Sequence, residues 1–151
     1  MKMEADVDTQ LNRSASLGLL ILRVMVGCVF VIHGAQKLFV MGLPGFAGML
    51  AQIGVPLPNV AAVVVALVEF VGGALLVIGL FTRVAAALIA VDMLVAVLKV
   101  HLPNGFFLPR GYEYALTQLG VNLALVFLGA GAWSIDGWVA RGTSGRSNPA
   151  A

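Results

Sequence analysis

The stretch LGLLILRVMVGCVFVIHGAQKLFV, residues 17–40, decides the fold of this chain. It is long enough to cross the hydrocarbon core of a bilayer, which takes about 20 apolar residues in a helix. It is also longer than the apolar core of a secretory signal, about 7–15 residues, and no A-x-A cleavage pattern follows it. We therefore expect this stretch to be a retained membrane span.

The composition of the whole chain supports a membrane protein. Of its 151 residues, 60% are hydrophobic and 11% are charged, and the mean hydropathy is +1.01. Soluble domains are about 45–50% apolar and about 25% charged, so we expect the lipid bilayer to be the main partner of this chain. The net charge is only +2 and the basic residues are scattered, which argues against nucleic-acid binding.

Three further apolar runs follow the first one, at about residues 60–80, 84–100 and 113–131. Together with 17–40 they predict an all-α fold, a four-helix transmembrane bundle over residues 17–136. Residues 1–16 are predicted to be a polar N-terminal tail and residues 137–151 a polar C-terminal tail.

Two connecting segments interrupt the apolar runs. Residues 42–58, GLPGFAGMLAQIGVPLP, contain Phe46, Met49, Leu50 and Ile53 at helical spacing. This spacing favours a short interfacial helix between spans 1 and 2, although an ordered loop fits equally well. Residues 101–112 are predicted to be a loop because of their prolines and glycines.

The distribution of basic residues predicts the orientation. With the N-terminus inside, the cytoplasmic segments hold Lys2, Arg13, Arg83, Arg141 and Arg146, whereas the outer loops hold Arg110. Basic residues favour the cytoplasmic side. We therefore expect a multi-pass protein of a bacterial inner membrane with both termini in the cytoplasm.

Several ionisable residues lie in the outer half of the predicted bundle or at its outer helix ends. They are His33, Lys37, Glu69, Lys99, His101 and Glu113. Because ionisable groups are costly in lipid, such a gathering from all four spans predicts a polar pocket. Cationic lysines beside neutral histidines suit a quinone-like or small anionic ligand.

A second set of polar residues is predicted to be buried or to relay protons: Arg23, Asp92, Gln118 and Asn122. Structural roles remain open for both sets. Arg23 could pair with Asp92 or Glu69, and Gln118 and Asn122 could join neighbouring helices.

The pocket candidates have their own structural alternatives. Lys37 and Lys99 could extend to the interface, Glu113 could complement a helix dipole, and His33 could be a hydrogen-bonded core residue. The sequence carries no metal motif and no CxxCH haem motif. The single cysteine, Cys28, excludes an intrachain disulfide and a CxxC redox pair. We therefore assign no metal and no cofactor from the residues, and haem is disfavoured.

Five segments resemble the DoxX family of small bacterial membrane proteins. They are LRVMVGCVFVIHGAQKLF (22–39), GFAGMLAQIGVPLP (45–58), ALVEFVGGALLVIGLFTR (66–83), KVHLPNGFF (99–107) and GAGAWSID (129–136). The resemblance implies a four-helix membrane protein with a link to quinone-coupled sulfur oxidation and to membrane oxidoreductase assemblies that counter oxidative and thiol stress. It supplies no set of catalytic residues.

Three functions fit these observations. The first is the membrane subunit of a quinone-linked oxidoreductase, with a soluble or membrane redox partner that supplies electrons. The second is a carrier for a small solute or protons, in which Glu69 and Asp92 form an ion pathway. The third is a non-catalytic scaffold or assembly partner for a soluble redox enzyme. Faces rich in small residues would also allow a homo-oligomer.

Overall fold

The computed structural model describes residues 2–144, whose regular secondary structure is helical, with no β-strand. The α-helices are α1 (Lys2–Ala35), α2 (Leu43–Gln52), α3 (Pro58–Ile78), α4 (Thr82–Val95), α5 (Glu113–Leu128) and α6 (Ile135–Ser144). Two π-helical turns, Gln36–Val40 and Ala96–His101, extend α1 and α4, and a 3-10 turn follows at Leu102–Asn104.

Three helical stretches are long and apolar enough to cross a membrane: Asn12–Val40, Pro58–Ile78 and Thr82–Asn104. They correspond to the first three predicted spans. Helix α5 is apolar too, but its 16 residues extend for about 24 Å, less than a hydrocarbon core of about 30 Å. The all-α class is therefore confirmed for the described residues, and three candidate spans are present rather than four.

The N-terminal segment, predicted to be a polar tail over residues 1–16, is helical in the structure: α1 begins at Lys2 and continues without a break into the first span. Residues 2–16 contain neither proline nor glycine. Nothing in this stretch therefore stops a helix that is already formed in the apolar run behind it.

The predicted C-terminal tail, residues 137–151, is also helical in its first part, which belongs to α6. The Oγ atom of Ser134 accepts a hydrogen bond from the N–H of Gly137 at 2.9 Å. This side-chain cap explains why a helix starts after Ser134. Residues 145–151 of the predicted tail, which include Arg146, lie outside the described residues.

Helices α1 and α3 pack closely because glycines face each other between them. A Cβ atom on Gly73 would lie 2.7 Å from the carbonyl oxygen of Gly27, and a Cβ atom on Gly34 would collide with the backbone of Phe70. Only glycine permits such an approach of two helix backbones. This contact brings the C-terminal turns of α1 against α3, where the ionisable residues lie.

Helix α4 packs between α3 and α5. The shared core is apolar and includes Phe30 of α1, Leu76 of α3, Ile89 of α4 and Leu125 of α5, all at most 2% exposed. Many large apolar side chains point outward instead, for example Ile32, Val91 and Phe127. An apolar outer surface of this kind is suited to lipid.

Helix α2 lies against the first turns of α3. Its buried residues Phe46, Ala47 and Leu50 pack with Ala62 of α3. The segment between spans 1 and 2 thus contains the short helix that its spacing favoured, and the apolar face of that helix is turned to the protein.

The bundle has two ends that differ in their polar contacts. We call the end that holds residues 33–58 and 99–115 the cavity end. The end that holds residues 16–23, 76–83 and 128–137 is called the clasp end.

Candidate functional site

A cavity of about 420 Å³ lies at the cavity end, within the range of about 300–1,000 Å³ that is usual for ligand sites. Side chains from α1 to α5, from both π-helical turns and from the 102–112 loop line it. Its polar lining residues are His33, Lys37, Glu69, Asp92, Lys99, His101 and Tyr114. The remaining lining residues are mostly apolar, as is typical of ligand pockets.

An ion pair between Lys37 and Glu69 joins α1 to α3 inside the cavity. The Lys37 side chain is 15% exposed and the Glu69 side chain 4% exposed. The Lys37 Nζ atom also lies 5.4 Å from the centre of the Phe46 ring of α2, a cation–π distance. Lys37 is therefore held inside the protein and does not extend to the interface.

Asp92 of α4 brings a second carboxyl group to this pair. It interacts electrostatically with both Glu69 and Lys37. Its Oδ2 atom is buried, with no hydrogen-bond partner among the described residues. Two acids thus face one lysine in an apolar surrounding, and a buried carboxyl oxygen is left without a donor, which is costly.

Two histidines lie at other positions on the cavity wall. The exposed ring of His33 stacks on the ring of Tyr114, with 6.3 Å between centroids and 25° between planes. The Nδ1 atom of His101 lies 3.0 Å from the carbonyl oxygen of Arg110. Because a carbonyl oxygen can only accept, Nδ1 donates, and Nε2 of a neutral His101 ring is an acceptor.

Both π-helical turns lie at the cavity. The first, Gln36–Val40, carries Lys37, and the second, Ala96–His101, carries Lys99 and His101. The exposed Lys99 lines the cavity from this second turn. Single π-helical turns inside α-helices occur frequently at functional sites. In this chain they carry three of the seven polar side chains that line the cavity.

Glu113 does not line the cavity, in contrast to its prediction as a pocket residue. Its Oε1 atom accepts a hydrogen bond from the N–H of Leu108 at 2.9 Å. As the first residue of α5, Glu113 is next to the irregular 102–112 loop, whose backbone N–H groups need acceptors. Glu113 therefore stabilises the conformation of this loop through its hydrogen bond to Leu108.

Gln118 and Asn122 are also off the cavity. The Nδ2 atom of Asn122 donates to the carbonyl oxygen of Gln118 at 2.8 Å, one turn back in α5. Asn122 is fully buried, so a role in a proton relay to the cavity has no support from this contact.

Arg23 lies at the clasp end, and its hydrogen bonds go to neither predicted acid. Its guanidinium group donates to the carbonyl oxygens of Leu76, Val77 and Trp133, at 3.1, 3.3 and 2.6 Å. The first two carbonyls end α3, where a cation is favoured by the helix dipole. Arg23 is 1% exposed, and it joins three segments of chain.

The cavity residues that the sequence did not predict include a group from α2 and the residue that follows it. Phe46, Met49, Leu50 and Ile53 line the cavity. Their helical spacing correctly indicated an apolar face, but periodicity alone does not tell whether such a face meets lipid or protein. Among the side chains that the structure describes, no three from His, Cys, Asp or Glu come close enough to hold a metal ion.

Comparison with known proteins identifies the family. The sequence model of the DoxX family matches residues 18–102. The chain belongs to the DoxX family. The match covers α1 from its apolar part onward, α2, α3, α4 and both π-helical turns, so it includes every polar residue of the cavity except Tyr114.

Relatives of this DoxX protein occur in several bacteria. A Bacillus subtilis (strain 168) protein described as "Putative oxidoreductase CatD" is 33% identical over 87% of this chain and 94% of its own length. The inner membrane protein YphA of Escherichia coli (strain K12) is 33% identical over 78% and 87%, respectively. The uncharacterized membrane protein Rv3486 of Mycobacterium tuberculosis is 36% identical over 76% and 77%. No solved structure matches the chain.

Proposed function

We propose that this DoxX protein is the membrane subunit of a quinone-linked oxidoreductase, and that its cavity binds a quinone-like or small anionic ligand. The observation that carries the proposal is the group formed by Lys37, Glu69 and Asp92 in an otherwise mostly apolar cavity. The similarity of the chain to a relative described as a putative oxidoreductase also supports the proposal.

The cavity offers hydrogen-bond partners for both redox states of a quinone. Lys37, Lys99 and a ring N–H of His33 donate to the carbonyl oxygens of the oxidised ring, whereas Nε2 of His101 and the free Oδ2 of Asp92 accept from the hydroxyl groups of the reduced ring. Reduction of the ring takes up two electrons and two protons. Glu69 and Asp92 would transfer the protons, since both can bind and release one inside the bundle.

Electrons must come from another protein, because the sequence has no motif for an electron carrier. We propose a soluble or membrane redox partner as the donor. The proposal also includes the membrane topology: four spans with α5 as the shortest, both termini in the cytoplasm, and the cavity end facing outward. Arg83 at the clasp end and the inner-membrane relative YphA support this arrangement in a bacterial inner membrane.

The test begins with the purified full-length protein in lipid nanodiscs, whose bound small molecules are extracted and separated by chromatography. We expect a quinone to co-purify with the wild type and to be depleted from a Lys37→Met variant. Gln36→Ala is the matched control, because Gln36 lies in the same π-helical turn, is exposed and does not line the cavity.

Cells provide the second half of this test. A strain that carries His33→Ala should turn over quinol more slowly than one that carries Gln36→Ala. A purified wild type free of quinone, together with unchanged quinol turnover in the His33→Ala strain, would refute the proposal.

A proton or solute carrier is the second candidate, and the facing acids Glu69 and Asp92 favour it. Proteoliposomes that contain the full chain should then show a flux of protons or small anions when a gradient is applied. Asp92→Asn should abolish the flux. This candidate would be excluded if protons and small anions crossed liposomes with the protein and liposomes without it at the same rate.

A further inference from the structure

The cavity is covered at its end by the 102–112 loop, and backbone hydrogen bonds hold this cover together. The N–H groups of Gly111, Tyr112 and Glu113 donate to the carbonyl oxygens of Phe107, Gly105 and Phe106, at 2.9, 3.0 and 3.0 Å. A Cβ atom on Gly111 would collide with two of these carbonyls, so the loop is packed as tightly as its backbone allows. Leu108 and Pro109 of the same loop form part of the cavity wall.

Two further side-chain contacts fix the loop to the helices. Glu113 accepts from the N–H of Leu108, and His101 donates to the carbonyl oxygen of Arg110. Opening this cover would break several hydrogen bonds at once. Access from the aqueous phase along the bundle axis is therefore costly.

The pairs of helices that surround the cavity differ in how closely they pack. Helix α1 packs along α3, and α4 packs along both α3 and α5. Helices α1 and α5 hardly touch, but the stacked rings of His33 and Tyr114 bridge them. Helices α2 and α4 also make little contact with each other, and no ring pair or ion pair joins them among the described residues.

Apolar residues at the α2–α4 side are both part of the cavity wall and exposed. Met49 of α2 is 39% exposed and Val95 of α4 is 46% exposed, and both line the cavity. An exposed apolar residue on this part of the bundle faces lipid. At Met49 and Val95, the same side chains thus belong both to the cavity wall and to the apolar outer surface of the bundle.

We infer that the ligand reaches the cavity sideways from the bilayer, through the gap between α2 and α4, and that it is a membrane-dissolved molecule with a carbonyl-bearing ring and an apolar tail. This inference rests on the proposed function and narrows it, because a small water-soluble anion is not expected to take this path. The ring lies among Lys37, Asp92 and His101, and the tail runs out between Met49 and Val95.

Three matched tryptophan substitutions test the route in full-length protein in nanodiscs. Val95→Trp narrows the α2–α4 gap, and Leu108→Trp enlarges a side chain of the loop. Val91→Trp places the same ring one turn from Val95, on an exposed surface that does not line the cavity. The probe is a dimethoxy-methyl-benzoquinone with a decyl tail, and its association rate is measured by stopped-flow mixing with probe-loaded vesicles.

We expect Val95→Trp to slow association of the probe by about tenfold or more, while Val91→Trp stays within about twofold of the wild type. Leu108→Trp should slow association clearly less than Val95→Trp does. Val95→Ala widens the gap, so the probe should associate with this variant at least as fast as with the wild type. This result would show that substitution at Val95 does not by itself slow association by misfolding the protein. Sodium benzoate, a water-soluble anion, should not compete with the probe.

The remaining outcomes separate the two proposals. If the probe binds the wild type but Leu108→Trp slows it as much as Val95→Trp does, the lateral route is wrong and the quinone site stands. The same conclusion holds if Val95→Trp has no effect or if benzoate displaces the probe. If the probe does not bind the wild type at all, the proposed function fails and the route fails with it.

Discussion

At the clasp end, Arg23 and Asp136 hydrogen-bond to backbone groups, whereas at the cavity end the charged side chains of Lys37, Glu69 and Asp92 interact with one another. Asp136 accepts from the N–H groups of Phe81 and Thr82, both at 2.9 Å, and so caps the first turn of α4 from a distant helix. Both ends therefore bury charged side chains, but those at the clasp end bind backbone groups and those at the cavity end bind one another.

The difference shows that a charge inside a membrane protein is not by itself a sign of a ligand site. Charges at the clasp end satisfy helix termini and connect α1, α3, α4 and α6, because the helix ends there present orphan carbonyl and N–H groups. Charges at the cavity end satisfy no helix terminus, and Asp92 retains a free oxygen. We therefore expect substitutions at the clasp end to reduce stability alone, and substitutions at the cavity end to reduce ligand binding.

Replacing Arg23 is expected to have the largest effect on stability. Arg23→Ala leaves the carbonyl oxygens of Leu76, Val77 and Trp133 without their donor, and the free energy of unfolding should fall by about 4 kcal/mol. Arg13→Ala, at an exposed arginine of the same helix, should change it by less than about 0.5 kcal/mol. Unfolding in mixed detergent micelles measures both, and equal effects of the two variants would contradict the role of Arg23.

Lys37→Met should have the next largest effect on stability, together with a loss of quinone binding. It leaves the carboxyl groups of Glu69 and Asp92 buried without a cation, at a cost of about 3 kcal/mol. Adding Glu69→Gln should recover much of the stability because it removes one of the two acids. Quinone binding should stay lost in the double variant, and its return along with stability would argue that Lys37 acts only as a structural partner.

Asp136→Ala should reduce the free energy of unfolding by about 1–2 kcal/mol, since the first turn of α4 loses its cap. Asp136→Asn should recover part of this loss, because one amide oxygen can still accept a hydrogen bond. The thermal midpoint of unfolding and the affinity for quinone are measured on the same samples. A clear loss of affinity would show that the clasp end and the cavity are coupled.

His33→Ala should have the smallest effect on stability, within about 0.5 kcal/mol, because the ring is exposed and its described contact is the stack on Tyr114. Its affinity for quinone should nevertheless fall by about tenfold, as for the loss of one good hydrogen bond. His33→Gln, which keeps a donor and an acceptor, should bind more tightly than His33→Ala. If His33→Ala reduced the free energy of unfolding by more than it reduced the free energy of quinone binding, His33 would be a structural core residue and not a ligand-binding one.

The fold was largely predictable because apolar length and helix breakers govern membrane helices. Spans 60–80 and 84–100 correspond to α3 and to α4 with its π-helical turn, and Pro58 stands at the first position of α3 as expected for a helix start. The two glycines that follow Glu69 lie on packing faces in the structure: Gly73 meets Gly27, and Gly72 meets Ile89. The helical state of residues 2–16 was missed because polar composition was taken as a sign of a tail.

The site was only partly predictable. The sequence indicates the depth of a residue in the membrane, but it does not indicate towards which neighbour its side chain points around the helix. His33, Lys37, Glu69, Lys99 and His101 were grouped by depth, and all five line the cavity. Glu113 satisfied the same reasoning, but the backbone N–H of Leu108 binds it instead. Arg23, which was predicted to be buried or to relay protons, binds backbone carbonyl groups. Such backbone partners appear only when the loops are folded.

The π-helical turn at Gln36–Val40 has a consequence for how such chains can change during evolution. A π-helical turn arises when one residue is inserted into an α-helix, and it absorbs that insertion locally. Deleting one residue between Gln36 and Val40 would return the turn to α-helical hydrogen bonding and rotate the residues after it, while the contact of Gly27 with Gly73 stays in register. Specificity at one end of the bundle can therefore be revised by single-residue insertions and deletions without rebuilding the scaffold at the other.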